Sequence, residues 1–231
     1  MFIKNMSRFE NTKIPITKKL YIFISDLIRK IFGGDRIKRL SQIMIKISKN
    51  IYMKKRKKIT ILDFGCGSMQ ISKRLEKLFF IKEIVGVDTF KSKFKTKKMK
   101  YIQYDDFFKN NKRKFDLIIS IDVLHHIGID KSHIILKKLS KISKNIIIKD
   151  HFEHSYFSRQ LLRFVDFYAN YGYDIAIPKR YFDYNSWKKT INKSNLKQIK
   201  IIKSFQQHDG LFNLILNKKH HFISLLKNVK R

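Results

Sequence analysis

Between residues 59 and 149 short apolar runs alternate with helical periodicity, and that alternation leaves few folds open. Ile59 to Asp63, Glu83 to Asp88, Lys100 to Tyr104, Phe115 to Ile121 and Asn145 to Lys149 read as strands. Met69 to Phe80 reads as a helix. So does Asp130 to Ile142, with Ile134, Ile135 and Leu139 on its apolar side. Near-continuous apolar strands separated by helices predict a parallel sheet buried on both faces, in an α/β, Rossmann-like, doubly wound arrangement.

Before this region the pattern is helical. Residues 1–16 look irregular, with Pro15 as punctuation. Leu20, Phe23, Ile24, Leu27, Ile28 and Ile31 then mark one amphipathic helix, which Gly33-Gly34 is expected to end. Ile37, Leu40, Met44, Ile47 and Ile51 mark a second, closed by the basic run Lys54 to Lys58. Residues 1–58 are therefore expected to form an N-terminal helical cap and 59–231 the main domain. Helices near 155–170 and 184–194 fall within an acceptor-side region at about 151–196. Gln198 to Lys203 and Phe212 to Asn217 are expected as closing strands around a turn at Asp209-Gly210. Lys91 to Lys100 reads as a solvated charge run.

Composition removes several classes. Hydrophobic residues make up 43% of the 231, enough for a core. Eight Gly and two Pro exclude a collagen-like chain or a long flexible linker. Cys66 is the single cysteine, so no internal disulfide or multi-cysteine zinc site can form, and a cytoplasmic setting fits. No apolar run reaches the ~18–20 residues of a transmembrane segment, and Met1 to Glu10 carries charges where a signal peptide would be apolar. The net charge of +34 predicts weak, non-specific, salt-dependent polyanion binding. It does not by itself specify a nucleic-acid partner. The 41 Lys far outnumber the 11 Arg, whereas base readers favour Arg. Lys, Ile, Asn, Phe and Tyr also share A/T-rich codons. The basic amphipathic helix near 18–31 leaves peripheral membrane contact open beside packing on its own domain.

The sharpest local signal is Ile61-Leu62-Asp63-Phe64-Gly65-Cys66-Gly67, an apolar strand running through an acid into two closely spaced glycines and a helix. Glycines there let the backbone turn tightly and approach a ligand. Asp88 ends the second strand, where an acid can accept from both ribose hydroxyls; Asp105 follows the third and could accept from an adenine amino group. In this order they describe an adenosine pocket along the C-terminal edge of the sheet. Gln70 stands where a nicotinamide fingerprint needs Gly, and no Gly-Lys-Ser/Thr follows as in a P-loop.

On these residues the stretch from Ile59 to Lys149 resembles the class I S-adenosylmethionine-dependent methyltransferases. Asp63-x-Gly65-x-Gly67 matches their first motif, Asp88 the ribose-binding acid and Asp105 the adenine-edge acid. Phe115 to His126, which contains Asp122 and His125, matches the strand-four motif and the loop beneath the methyl donor. Met69 replaces a frequent third Gly. Lys149-Asp150-His151, Leu161 to Asp166, Asn170, Pro178, Tyr181 and Trp187 are similar to a bacterial subfamily of unassigned acceptor, from which Lys179-Arg180 departs. The resemblance implies S-adenosylmethionine as methyl donor, a seven-stranded sheet with an antiparallel C-terminal strand, and donor contacts from Asp63, Gly65, Cys66, Gly67, Asp88, Asp105, Asp122 and His125.

Methyl transfer from a sulfonium is an in-line displacement, served by alignment and, for some acceptors, proton removal. His125, His126, Asp150, His151 and His154 are the candidates near the acceptor. Asp150 and His151 are the expected catalytic pair, against a reading in which Asp150 caps a helix and His151 is a structural hydrogen-bonder. Asp166 and Asn170 share a helix face and either line the acceptor pocket or form a buried network. Trp187 reads as packing and Cys66 as a small filler. No metal is expected, because no His-x-x-x-His stands with a third ligand at a known spacing. The expected acceptor is a small molecule, lipid- or glycan-related. An RNA methyltransferase using the basic surface and an inactive donor-binding module are the alternatives. The lone cysteine and the absence of an Asn/Asp-Pro-Pro-Tyr/Phe motif argue against methylation of DNA bases.

Overall fold

A computed structural model describes residues 16–90, 94–170, 175–208, 213 and 216–229; within its first helix the side chains at 16–19, 22, 24–26 and 28–35 are not described. The expected irregular start, part of the Lys91 to Lys100 run and the Asp209-Gly210 turn lie outside these residues.

One sheet organises the chain. Its strands are β1 (Ile59–Phe64), β2 (Ile81–Asp88), β3 (Met99–Gln103), β4 (Leu117–Ile121), β5 (Asn145–His151), β6 (Leu196–Ile202) and β7 (His221–Asn228), in spatial order β3-β2-β1-β4-β5-β7-β6. The pairs among β1 to β5 are parallel, and β7 runs antiparallel to both neighbours. This is the doubly wound, Rossmann-like sheet with an antiparallel C-terminal strand that the sequence implies. The chain order reverses at β1, whose neighbours are β2 and β4, and there the carboxyl ends of the strands open a crevice.

Consecutive strand residues bury on opposite faces, because side chains alternate along a strand. Leu62, Val85, Ile118, Ile146 and Ile148 share one core with Leu136 and Leu139 of α5 (Ile129–Ser140) and Trp187 of α7 (Tyr184–Asn192). Ile61, Ile84, Leu117, Ile119 and Ile147 share the other with Leu40 and Met44 of α1 (Ile16–Lys55) and Leu75 of α2 (Gln70–Leu75). The remaining helices are α3 (Tyr104–Asn110), α4 (Leu124–Ile127) and α6 (Tyr156–Asn170).

Three expectations are corrected. The two N-terminal helices are one, because α1 runs unbroken through Gly33-Gly34. Glycine weakens a helix interior by about 1 kcal/mol without forbidding helical dihedrals. The predicted seam still packs: Leu40 and Met44 are buried, with Ile37, Ile47 and Ile51 against the same core. The last strand lies at His221–Asn228, beyond the expected Phe212 to Asn217, of which residues 212, 214 and 215 lie outside the described residues. Its run from His221 to Lys227 pairs along the whole of β5. β5 also extends to His151, so Asp150 and His151 lie within the ladder, opposite Phe222 and His221.

Candidate active site

The glycine turn after β1 has the geometry of a ligand cradle. Gly65 (φ 72°) and Gly67 (φ 48°) both adopt left-handed dihedrals, costly for residues with a Cβ. A Cβ on Gly65 would lie 2.2 Å from Cγ2 of Val123, so the turn presses against the loop after β4. A Cβ on Gly67 would meet nothing within 4 Å. The Gly65 and Cys66 amides both donate to the Val87 carbonyl, at 2.7 and 3.2 Å.

Asp63 sits beneath this turn. Its buried carboxylate accepts from the Ser72 hydroxyl of α2 at 2.6 Å. Burial raises its pKa to about 7 against the opposing Ser72 hydrogen bond, and the Asp88 charge adds to the rise. Asp88 is half-buried at the tip of β2 and clasps the turn, accepting from the Gly67 amide at 2.7 Å and the Thr89 amide at 2.7 Å. Asp105 is exposed in the first turn of α3. Burial, reinforced by Asp63 and Asp88, pushes the Cys66 thiol up, so it is a filler rather than a nucleophile. Met69 takes the left-handed conformation (φ 57°) and buries its side chain over Gly86, where an added Cβ would lie 2.6 Å from Met69 Cε.

The loop after β4 meets the end of β5 in a mostly buried ionic cluster. Asp122, itself at φ 57°, lies 2.5 Å from Arg36 of α1, 2.5 Å from Lys149 Nζ and 3.1 Å from His151 Nε2. Burial opposes its charge, but Lys149, His151 and Arg36 together hold the carboxylate well below its ordinary range. Burial and the Lys149 charge lower the His151 pKa against the pull of Asp122, which favours neutral imidazole. Its Nδ1 is buried without a hydrogen-bond partner among the described residues.

Asp150 is fully buried and committed. One oxygen meets His125 Nδ1 at 2.5 Å and the other accepts from the Leu124 amide at 3.0 Å. Burial would push the His125 pKa down, but Asp150 and Asp166 raise it to about 9. His125 Nε2 lies 3.4 Å from Asp166, which accepts from the Tyr181 hydroxyl at 2.5 Å. His126 packs its ring 4.0 Å from that of His125 and directs Nδ1 to the Ala176 carbonyl. Burial and the neighbouring His125 lower its pKa to about 4. His125, His126 and Asp166 bring one ligand-capable atom each within 4.8 Å of one another, but the raised pKa keeps His125 protonated at neutral pH, which opposes metal ligation.

His154 stands apart. It is exposed and bonds the Lys219 carbonyl at 2.7 Å. Asn170 is half-buried at the end of α6. Trp187 is fully buried, donating to Gln198 and packing on Phe182 and Phe222. Sequence reasoning missed Arg36, Glu153 and the C-terminal histidines. Glu153 takes Arg159 in two hydrogen bonds and the Tyr181 amide, fixing the loop that delivers Tyr181. His221 faces His151 across the β5–β7 ladder with ring centroids 5.0 Å apart. Both ring nitrogens of buried His220 and His221 lack hydrogen-bond partners among the described residues. Burial lowers the pKa of both, His220 to about 4.

A profile of the methyltransferase domain family matches residues 32–201, from α1 into β6. The chain belongs to the methyltransferase domain family. No curated protein sequence matches it. Solved structures share the fold at low identity. The plantazolicin methyltransferase BamL, solved with a triazolic desmethylPZN analog and SAH, is 13% identical over 93% of this chain and 95% of its own, with a TM-score of 0.58. A cyclopropane-fatty-acyl-phospholipid synthase-like protein from Lactobacillus casei is 11% identical over 91% and 99%, at 0.56. Magnesium protoporphyrin IX methyltransferase from Synechocystis, solved with SAH, is 10% identical over 94% and 90%, at 0.51. In this methyltransferase the Gly65–Gly67 turn, Asp88 and the loop after β4 all lie at the carboxyl edge of the sheet, where the strand order reverses.

Proposed function

We propose that this methyltransferase uses S-adenosylmethionine to methylate a small polar acceptor, lipid- or glycan-related, bound over the carboxyl ends of β4 and β5 in the cytoplasm. The observation that carries the acceptor reading is the set of buried, unpartnered ring nitrogens on His151, His220 and His221. Leaving such groups unpaired is costly, and acceptor hydroxyls would satisfy them. The Gly65–Gly67 turn and Asp88 receive the donor. The carboxylate of Asp88 exchanges its hold on the Gly67 amide for the ribose hydroxyls.

In the reaction the acceptor oxygen or nitrogen attacks the methyl carbon and the carbon–sulfur bond breaks. The sulfonium becomes a neutral thioether, and the acceptor sheds a proton. We assign that proton to His151. Donation from Nε2–H to Asp122 leaves the Nδ1 lone pair free, and the lowered pKa keeps it so at neutral pH. Asp150 has both oxygens engaged, so its part is to position His125 and the loop after β4.

The place of one cationic cleft favours a small acceptor over RNA. A cationic cleft lined by Lys55, Lys58, Lys82, Arg113 and Lys114 opens near the start of β1 and β4, the edge opposite the glycine turn. Polyanions held there are not led to the donor.

Calorimetric titration with S-adenosylmethionine and S-adenosylhomocysteine tests the reading. Micromolar binding by the wild type, lost in Asp88→Ala and Gly65→Val, supports it. A well-folded wild type that binds neither ligand overturns it.

A further inference from the structure

We propose that the outer faces of α1 and α6 form a docking surface for an anionic lipid bilayer. The two helices pack against each other, and each turns an apolar stripe to solvent. On α1 the stripe is Leu20, Phe23 and Leu27, which are 57%, 64% and 45% exposed. On α6 it includes Phe157 and Phe164, 83% and 60% exposed, while Leu162 and Asp166 on the inner side are buried. Phenylalanine exposed to this degree on one face of a helix loses stability in water and regains it at an apolar boundary.

Charge selects the occupant. The stripe on α1 is flanked in sequence by Lys18, Lys19, Arg29 and Lys30, and α6 carries Arg163, while Arg159 is paired with Glu153. Aromatic and aliphatic anchors interleaved with cations are the combination that binds anionic lipid surfaces, where the apolar and electrostatic contributions add. A second copy of this chain is the poorer occupant, because each carries a net charge of +34 and face-to-face pairing would set like charges together. Helix α6 also supplies Asp166 to the site, so docking through its outer face sets the acceptor region beside the lipid headgroups. The surface is independent of the acceptor reading above.

The test is co-sedimentation of the full chain with vesicles in about 0.15 M salt, where bare charge attraction is screened. Vesicles of phosphatidylcholine alone are compared with an equimolar mixture of phosphatidylcholine and phosphatidylglycerol. The wild type is expected to pellet with the mixture and remain in solution with phosphatidylcholine. Phe157→Ala combined with Phe164→Ala is expected to weaken partitioning about tenfold or more while leaving S-adenosylmethionine titration unchanged. Three results would overturn the proposal. The wild type could ignore the anionic vesicles, or the double variant could pellet as the wild type does. Alternatively, sedimentation velocity could show a wild-type dimer that the double variant dissociates, which would assign the stripe to a second copy. Loss of donor binding in the wild type would overturn the enzymatic reading and leave this one standing.

Discussion

His125 Nδ1 lies 2.5 Å from Asp150 Oδ1 with neither side chain exposed to solvent. The contact ties the loop after β4 to β5, and the Leu124 amide on the other oxygen makes the tie two-pronged. Removing one partner of a buried ion pair strands the other charge. Asp150→Asn is therefore expected to destabilise the fold by roughly 3 kcal/mol, measured by urea denaturation at pH 7. The wild-type pH profile carries the same signature. His125 has its pKa raised from 6.5 to about 9, so its contribution is complete below 6.5 and is lost as pH rises through 9. The alkaline decline should flatten in Asp150→Asn; an unchanged decline would assign it to another group.

Asp63 imposes a second pH dependence in a lower window. Its folded pKa of about 7 lies above the ordinary 3.8, so the folded state holds a proton that the unfolded chain releases. Stability then falls as pH rises from 3.8 to about 7 and levels off above that. Asp63→Asn keeps an acceptor for the Ser72 hydroxyl and removes the buried charge. We expect it to match the wild type near pH 4 and to be more stable by up to about 4 kcal/mol at pH 8, compared by thermal melts at both values. A variant less stable than the wild type at pH 8 would show the carboxylate to be favoured where it lies.

Much of this site was legible because its signals are local. Strand, acid and glycine turn lie in the seven residues Ile61 to Gly67, and the alternation that follows dictates a parallel sheet. What escaped is non-local. Arg36 reaches Asp122 across 86 positions, and no spacing rule spans that distance. Lys149 gave a partial hint: a cation in the all-apolar run Ile146 to Ile148 must find an anion, and that anion is Asp122. That His221 to Asn228 closes the sheet is settled by its register with β5, which no local pattern reveals. The helix break at Gly33-Gly34 failed for an energetic reason. Continuity with the packed seam from Leu40 to Ile51 outweighs the glycine cost.

Gly65 and Gly67 should separate folding from donor binding. A Cβ on Gly65 meets the Val123 side chain at 2.2 Å in a left-handed backbone. Gly65→Ala is expected to cost about 3 kcal/mol, from dihedral strain plus overpacking. A Cβ on Gly67 projects into open space, so Gly67→Ala should cost only about 1 kcal/mol. That methyl group nonetheless stands where the turn would approach the donor. Thermal melts should rank the two variants in this order, while calorimetry with S-adenosylmethionine shows binding weakened in both. A Gly67→Ala protein that binds the donor as the wild type does would move the donor away from this turn.

Met69 offers the finest test of the turn, because its backbone and side chain pull in opposite directions. Its left-handed φ of 57° is unfavourable for any residue with a Cβ, yet its side chain is 2% exposed over Gly86. Met69→Ala loses the burial and keeps the strain, for an expected loss of about 3 kcal/mol. Met69→Gly loses the same burial but relieves the strain, recovering about 1 kcal/mol of it. Glycine should therefore be the better tolerated of the two, the reverse of their order in an ordinary helix. Denaturant titration of both variants decides the matter. If alanine proves the more stable, the conformation at Met69 is not left-handed in solution, and the turn around the donor must be redrawn from that residue outward.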